Sequence, residues 1–187
     1  MSESKHSQEE YSQPANDWSP SELRDEIRKY AEEVFERYSE AFESLSLERI
    51  GWTVSRRLFR AGGYCRTEFR DPPIHEIVVS FPAFRYWGWH QVRDIVRHEL
   101  VHAAVFEVHG PDIDPHGDEF RALAESIDAP VKGESALPYR FKLRCSVCRD
   151  LVDGLYEPSP RTKRPNKFRS ECCDAPLDVN EKFPAFV

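Results

Sequence analysis

The sequence predicts an α+β fold in which long helices pack on a small, mostly antiparallel sheet, followed by a small β unit. Apolar residues recur at helical spacing in two long segments, residues 19–42 and 89–110. Three short strand-like runs lie between them, with no long crossover of the kind that joins parallel strands. From Tyr139 the composition changes to cysteine pairs, many arginines and few aliphatic residues.

The first helix has a clear start signal. Ser19 can cap it, Pro20 fits its first turn, and Glu22 completes a capping box. The apolar stripe that follows indicates a buried face. Residues 1–18 are polar and have almost nothing to bury, so they are predicted to form a disordered tail.

The remaining elements follow from local patterns. The predicted strands are IGWTV, YCRTEFR after the turn AGGY, and IHEIVVSF after DPP. The second long helix is WHQVRDIVRHELVHAAVFEVHG, which Gly110 and Pro111 stop, and HGDEFRALAESI forms a third, shorter helix. These elements define a domain over residues 19–131, a linker over 132–138 (KGESALP) and a cysteine-rich domain over 139–187.

The second long helix contains the pattern H-E-x-x-H, formed by His98, Glu99 and His102. Residues four apart on a helix differ by about 40° in direction and about 6 Å in height, so both imidazoles can reach one metal ion. Glu99 is rotated by about 100° from His98, so it misses the ion but can contact a water bound to it. The pattern therefore predicts zinc chemistry.

A third ligand would make this prediction more specific. His109 lies on the same helical face but about 10 Å further along the axis than His102, too far to share the ion. Val105 occupies the position where a metzincin has a glycine that turns the chain, so the helix continues. We expect His109 at the helix C-terminus, where the helix dipole favours positive charge.

His116 is the preferred third ligand, because GPDIDP ends the helix and reverses the chain before it. Glu119 and Glu125 on the third helix are the alternatives, and Glu119 is also a candidate partner for a ligand. Three neutral histidines leave zinc with its full charge and one open position, where a bound water loses a proton near neutral pH. Glu99 would accept that proton, direct the attack on a carbonyl carbon, and return the proton to the leaving amine. A structural zinc or a chance match is the other interpretation.

The arrangement H-E-x-x-H, a turn, then H-G-x-E-F resembles the SprT-like zinc metalloproteases, a family that includes Spartan-like, DNA-dependent proteases. Upstream, Trp52, AGGYCR, IVVS and Trp87 or Trp89 agree with the resemblance, which spans roughly residues 20–180. It implies a zincin-like metalloprotease fold with Glu99 as general base and the three histidines as zinc ligands. It also implies substrates that are proteins bound or crosslinked to DNA.

Four of the five cysteines form two close pairs, which in a reducing compartment more often hold metal than form disulfides. They are Cys145, Cys148, Cys172 and Cys173. The pairs predict a zinc ribbon that depends on metal for folding. Because Cys172 and Cys173 are adjacent, both can bind one ion only from a tight turn. Three cysteines plus Asp174 or water, or no metal, stay open, and Cys65 is read as a buried side chain.

A basic segment separates the cysteine pairs. Residues 139–170 contain nine Arg or Lys against three Asp or Glu, whereas the whole chain has a formal charge of −7. The predicted contacts to DNA, single-stranded or junction-containing, are Arg161, Lys163, Arg164, Lys167 and Arg169. A solvated charged loop is the alternative.

No apolar run approaches the length of a membrane span, and the first 18 residues lack the hydrophobic core of a secretory signal. We therefore expect a cytoplasmic protein, associated with the nucleoid if it binds DNA. Two other functions remain open: a non-catalytic DNA-binding or regulatory protein, which the intact Glu99 disfavours, and a general peptidase without a nucleic-acid link.

Overall fold

The α+β class is confirmed by the structure, a computed structural model that describes residues 17–132 and 137–182. The helices are α1 (Pro20–Arg37), α2 (Phe81–Trp87), α3 (Trp89–His109), α4 (Asp118–Ser126) and α5 (Pro160–Lys163). The strands are β1 (Ile50–Ser55), β2 (Gly63–Glu68), β3 (Ile74–Ser80), β4 (Phe141–Cys145), β5 (Leu151–Leu155) and β6 (Leu177–Glu181). Short 3-10 turns occupy Ser39–Phe42, Leu47–Arg49 and Pro165–Lys167.

The first sheet has the strand order β1-β3-β2 and corrects the prediction of a mostly antiparallel sheet. β2 pairs antiparallel with β3, but β1 pairs parallel with β3, in register from Ile50 opposite His75 to Ser55 opposite Ser80. The chain leaves β1 and passes through β2 before it forms the central strand. Adjacent strands in sequence therefore do not all pair, and strand β2 lies at one edge.

The core lies between this sheet and the helices α1, α3 and α4. α3 is its centre, because residues on several sides of this helix are buried, including Leu100, Val101 and Ala103 with no exposed surface. α1 contributes Leu23 and Ile27 from the stripe that the sequence indicates. Its predicted capping box forms, with Ser19 and Glu22 bonded to each other's backbone N–H groups. The long central helix thus has a rigid apolar setting.

Two features of this domain differ from the sequence-based prediction. Helix α2 was not predicted; Ser80 caps it through the backbone N–H of Ala83, and Gly88, at φ 83°, separates it from α3. Trp18 falls within the range predicted as a disordered tail, yet its ring stacks on Phe84 at 5.5 Å. Residues 1–16 of that tail lie outside the described residues.

The C-terminal unit is an antiparallel three-stranded sheet with the order β5-β4-β6. A second, smaller apolar cluster joins it to the first domain. Its buried members are Phe59, Ala83, Ile95 and Leu137, with Trp87 and Tyr156 packed against them. Leu137 belongs to the predicted linker, of which residues 133–136 lie outside the described residues. The last part of that linker is therefore packed, and the Tyr156 hydroxyl donates to the Leu137 carbonyl at 2.9 Å.

No helix in the described parts of the chain is both long and apolar enough to cross a membrane.

Candidate metal centre and cysteine cluster

Helix α3 carries the first two predicted ligands on successive turns. The Nε2 atoms of His98 and His102 lie 3.2 Å apart, and both rings are buried. The Nδ1 atom of His98 lies 2.8 Å from the Pro130 carbonyl oxygen. Since a carbonyl oxygen can only accept, Nδ1 carries the proton and donates it. The Nε2 lone pair of His98 is therefore directed at the other imidazoles.

His116 reaches the same point from a separate segment. α3 ends at Gly110, whose φ of 74° turns the chain away, and the Asp114 carboxylate accepts the backbone N–H of His116 at 3.0 Å. The Nε2 atom of His116 lies 3.4 Å from that of His98. The sequence predicts that the chain reverses between α3 and His116. The structure shows this reversal, which brings the three histidines together.

The spacing of these nitrogens fits a tetrahedral cation. With Zn–N bonds of about 2.0–2.1 Å, two tetrahedral ligands lie about 3.3–3.4 Å apart. The pairs 98–102 and 98–116 are separated by 3.2 and 3.4 Å, and all three ligand atoms lie within 4.8 Å of one another. Burial and the neighbouring rings lower the pKa of His102 to about 3, so its ring is neutral, as a ligand must be. The three side chains could hold one metal ion.

The rejected candidates lie elsewhere. His109 is the last residue of α3 and is exposed, at the helix C-terminus as predicted. Neither Glu119 nor Glu125 joins the histidines among the described residues. Glu119 instead lines a separate groove between α3, α4 and the turn Ser39–Phe42.

Phe120 is a residue of the centre that sequence reasoning missed. Its fully buried ring packs against His98, His102 and His116, with ring centroids 5.0, 4.5 and 4.9 Å away. The only available signal was its place at the end of H-G-x-E-F, four residues after His116. Its packing against all three imidazoles restricts their orientation.

Glu99 is buried beside the histidines, and its carboxyl group opens into the same cleft. Burial raises its pKa to about 8, although the backbone N–H of Cys65 acts in the opposite direction. A divalent cation among the histidines would stabilise the carboxylate and lower that pKa. The carboxylate would then be ready to accept a proton.

The cleft has a volume of about 520 Å³, and strand β2 forms one of its walls. Gly63, Tyr64 and Cys65 line it from this strand, while Ile95 and Phe106 line it from α3. β2 is an edge strand, with β3 on one side and no strand on the other among the described residues. An extended backbone could therefore lie along β2 and pass over the histidines and Glu99.

The four paired cysteines also lie together, as a group whose sulfurs are within 4.8 Å of one another. All four are free thiols, and the Sγ atoms of Cys148 and Cys172 are 3.4 Å apart. Hydrogen bonds from the Ser170 hydroxyl and from backbone N–H groups lower the pKa of Cys145 to about 6. The Asp150 backbone N–H lowers the pKa of Cys148, but hydrogen bonds to the neighbouring thiols and burial raise it to about 12, and the pKa of Cys173 is also raised. A bound cation would deprotonate such thiols, and the closeness of the four sulfurs means that this cluster could hold a second ion.

A tight turn brings the adjacent cysteines to one point. The Ser170 backbone N–H donates to the Ala175 carbonyl at 2.8 Å, and Asp174 adopts a φ of 48°. Asp174, the alternative fourth ligand, shapes this turn and does not belong to the group of ligand atoms. Cys65 lies apart from the cluster and is partly buried against the first core.

The five predicted DNA contacts divide into two sets. Arg161 is ion-paired with Asp153 at 2.7 Å, and Arg169 donates to the Asp174 carbonyl at 3.5 Å. The other three are exposed and have no ion pair within the described residues: Lys163, Arg164 and Lys167. These three form the free basic surface of the C-terminal unit.

Comparison with known proteins identifies the family of the chain. A model described as the SprT-like family matches residues 31–142, and a search of curated proteins found no match. The matched segment contains the whole of α3 and all three histidines, and it ends before Cys145. Because it covers more than half of the 187 residues, the chain belongs to the SprT-like family.

Proposed function

We propose that this chain is a zinc-dependent metalloendopeptidase with a zincin-like catalytic domain and a C-terminal zinc ribbon, acting on proteins bound or crosslinked to DNA. The observation that carries the proposal is the convergence of the three histidine Nε2 atoms in the cleft that Glu99 also lines. Membership of the SprT-like family supports it, because that family is generally metalloprotease-like. A purely structural zinc would leave Glu99 without a role.

His98, His102 and His116 would hold the catalytic ion. When bound, zinc supplies Lewis-acid chemistry, since it polarises a carbonyl and makes water acidic near neutral pH. The hydrogen bond from His98 to Pro130 orients its ring and raises its basicity as a ligand. Phe120 keeps the three rings in place in the absence of substrate.

Glu99 would move the proton. Its carboxylate accepts a proton from the attacking water and returns it to the nitrogen of the leaving amine, so that no covalent enzyme intermediate forms. Strand β2 would hold the substrate backbone extended by adding it to the sheet edge, which places a peptide carbonyl over the metal centre. Peptide bonds in flexible or unfolded segments are best suited to this mode.

The first test is Glu99→Gln in the full chain. Because only the proton acceptor is lost, we expect the cleavage rate to fall by about 10²- to 10⁴-fold, with unchanged zinc content and thermal stability. The assay follows cleavage of a DNA-binding protein by gel electrophoresis and counts zinc by mass spectrometry. Wild-type rates in the Glu99→Gln variant would reject the peptidase proposal and favour a non-catalytic scaffold.

The link to DNA is argued from charge. Lys163, Arg164 and Lys167 are exposed in the segment between the two cysteine pairs, and the partly buried Phe168 follows Lys167 in the sequence. Cations with an aromatic ring suit the phosphates and bases of single-stranded DNA. Recruitment of the protease to DNA would raise the local concentration of DNA-bound substrates.

The triple variant K163Q/R164Q/K167Q tests this recruitment. Neutralising three phosphate contacts should lower the slope of log affinity against log salt by about 2 for single-stranded DNA. Stimulation of cleavage by DNA should be lost, while cleavage of a peptide without DNA stays unchanged. R24Q/R28Q/R121Q, which removes three exposed arginines from α1 and α4, is the matched control. Unchanged DNA affinity and stimulation in the first triple would favour a general peptidase.

A further inference from the structure

A small cavity of about 120 Å³ lies between α1 and α3, outside the catalytic cleft. We call it the arginine notch, and the lining residues that matter here are Tyr30, Glu33, Arg37, Tyr38, Arg93 and Arg97. Three guanidinium groups and two phenols thus surround a space sufficient for a small oxyanion. None of these residues has a role in the proposed peptidase chemistry.

Several hydrogen-bond donors of the guanidinium groups in the notch have no acceptor. Arg93 has no hydrogen bond or ion pair within the described part of the chain; its guanidinium carbon lies 5.9 Å from the centre of the Tyr30 ring. Arg97 donates through Nη2 to Asp94 at 2.6 Å and through Nη1 to the Tyr30 hydroxyl at 2.8 Å. The Nε atoms of Arg93 and Arg97 are both buried without a partner. A buried donor without a partner is costly, and the Nε atom of Arg49, outside the notch, is buried in the same way. What distinguishes the notch is Arg93, which lines the cavity and whose guanidinium group has no acceptor in the described part of the chain.

The other residues that line the notch also offer hydrogen-bond donors without acceptors. The Tyr30 oxygen accepts from Arg97, which leaves its own proton for donation. Tyr38 has a hydroxyl with no hydrogen bond recorded among the described residues, and Arg37 at the end of α1 has no ion pair there. Glu33 is the one carboxylate on the wall, and Asp94 is already engaged by Arg97. Three cations against two anions leave a net positive charge and a surplus of donors.

We propose that the arginine notch binds the phosphate group of a ligand. Guanidinium groups match phosphate oxygens in paired hydrogen bonds, and phenol hydroxyls can complete the tetrahedron. Arg93 precedes His98 by five residues, a rotation of about 140° on α3, so the notch opens on a different side of the helix from the catalytic cleft. The inference therefore does not depend on the proposed peptidase function.

The test measures thermal unfolding of the zinc-loaded full chain in inorganic phosphate, against chloride at matched ionic strength. We expect a saturable rise in Tm of about 2–4 °C once phosphate exceeds its Kd about fivefold. The rise should disappear in R37Q/R93Q and persist in R24Q/R28Q, which removes two exposed arginines from α1. Zinc content is counted in each protein, so that loss of metal cannot explain a lost response.

Equal effects of phosphate and chloride, or a wild-type response in R37Q/R93Q, would overturn the proposal. Tyr38→Phe removes only one hydroxyl and should weaken phosphate binding several-fold without affecting the fold, which keeps the test decisive if the double variant is unstable. A short oligothymidylate identifies the source of the phosphate. A salt slope lower by about 1.4 in R37Q/R93Q indicates nucleic-acid backbone, and an unchanged slope with a lost phosphate response indicates a small phosphate ligand.

Discussion

The histidine centre and the cysteine cluster gather their ligands in opposite ways. Two of the three histidines project from a buried 21-residue helix, and an aromatic ring supports all three. The cysteines lie at the end of β4 and in two turns of a small sheet. That sheet has few other buried apolar residues: Phe141, Leu143, Ala175 and Leu177. The first centre is thus built onto a fold with its own core, whereas the second lies in a unit with little core of its own, which we expect to depend on a bound metal ion for its stability.

Removing one ligand from each site should show which of the two regions needs its metal ion to stay folded. Of the changes proposed here, Cys145→Ala should have the largest effect. Zinc contributes about 10–16 kcal/mol in small zinc-dependent units, more than this sheet can replace by burial. We expect amide protection to be lost throughout β4–β6 and zinc content to fall from two to one. Hydrogen exchange read by mass spectrometry measures both regions in one experiment.

His116→Ala is the matched change at the other centre. It should also lower zinc content by one and abolish proteolysis, yet leave the protection of α3 close to wild type, because the core around this helix does not need the metal. If Cys145→Ala keeps β4–β6 protected, or if His116→Ala exposes α3 to exchange, the contrast between the two sites is wrong.

The thiols offer a second contrast, in reactivity. Burial, and secondarily the charge of Glu99, raise the pKa of Cys65 to about 12, whereas hydrogen bonds lower that of Cys145. At pH 8 about one Cys65 in ten thousand is ionised, roughly a thousandfold fewer than for an ordinary thiol. Alkylation of Cys65 by iodoacetamide should therefore be slow and rise about tenfold per pH unit up to pH 10. A plateau below pH 10 would contradict this.

A smaller effect concerns the wall of the catalytic cleft. A Cβ atom at Gly63 would lie 2.6 Å from the Ile95 Cγ2 atom and 3.4 Å from the Glu99 Cγ atom. Gly63→Ala should cost about 1–3 kcal/mol through overpacking against Ile95, and it should slow cleavage because Ile95 lies one helical turn before Glu99 on α3. Chemical denaturation and the protease assay measure the two effects.

Gly51→Ala is the control, because its Cβ would meet the His75 carbonyl oxygen at an ordinary 3.6 Å in the same sheet. We expect that variant to be neutral or slightly stabilised. Equal losses in both variants would show that the strands, and not the close approach of β2 to α3, set the cost.

The parts that the sequence could predict are those with local causes. The spacing of His98 and His102 follows from helix geometry alone, and the start of α1 follows from Ser19 and Glu22. The parallel pairing of β1 with β3 could not be foreseen, because strand β2 lies between them in the sequence. Phe120 was missed for a related reason, since only the folded chain brings α4 beneath the histidine rings.

The arginine notch is a second feature that the sequence could not predict. Arg93 and Arg97 read in sequence as the polar face of a helix, and only α1 packed against them reveals that two of their nitrogens are buried without partners. Burial of a charged side chain depends on which element covers it, and composition carries no such information.

The hydrogen bond from His98 to the Pro130 carbonyl has a mechanical consequence. That peptide group lies only a few residues before the segment that leads into the C-terminal unit. The segment that connects the first domain to the C-terminal unit is therefore hydrogen-bonded to the His98 ring near its start. Lengthening or shortening the path between α4 and Pro130 by one residue would tilt that ring, and the fully buried Ile127 fixes the same stretch to the core, so insertion or deletion here should disturb the histidine centre directly.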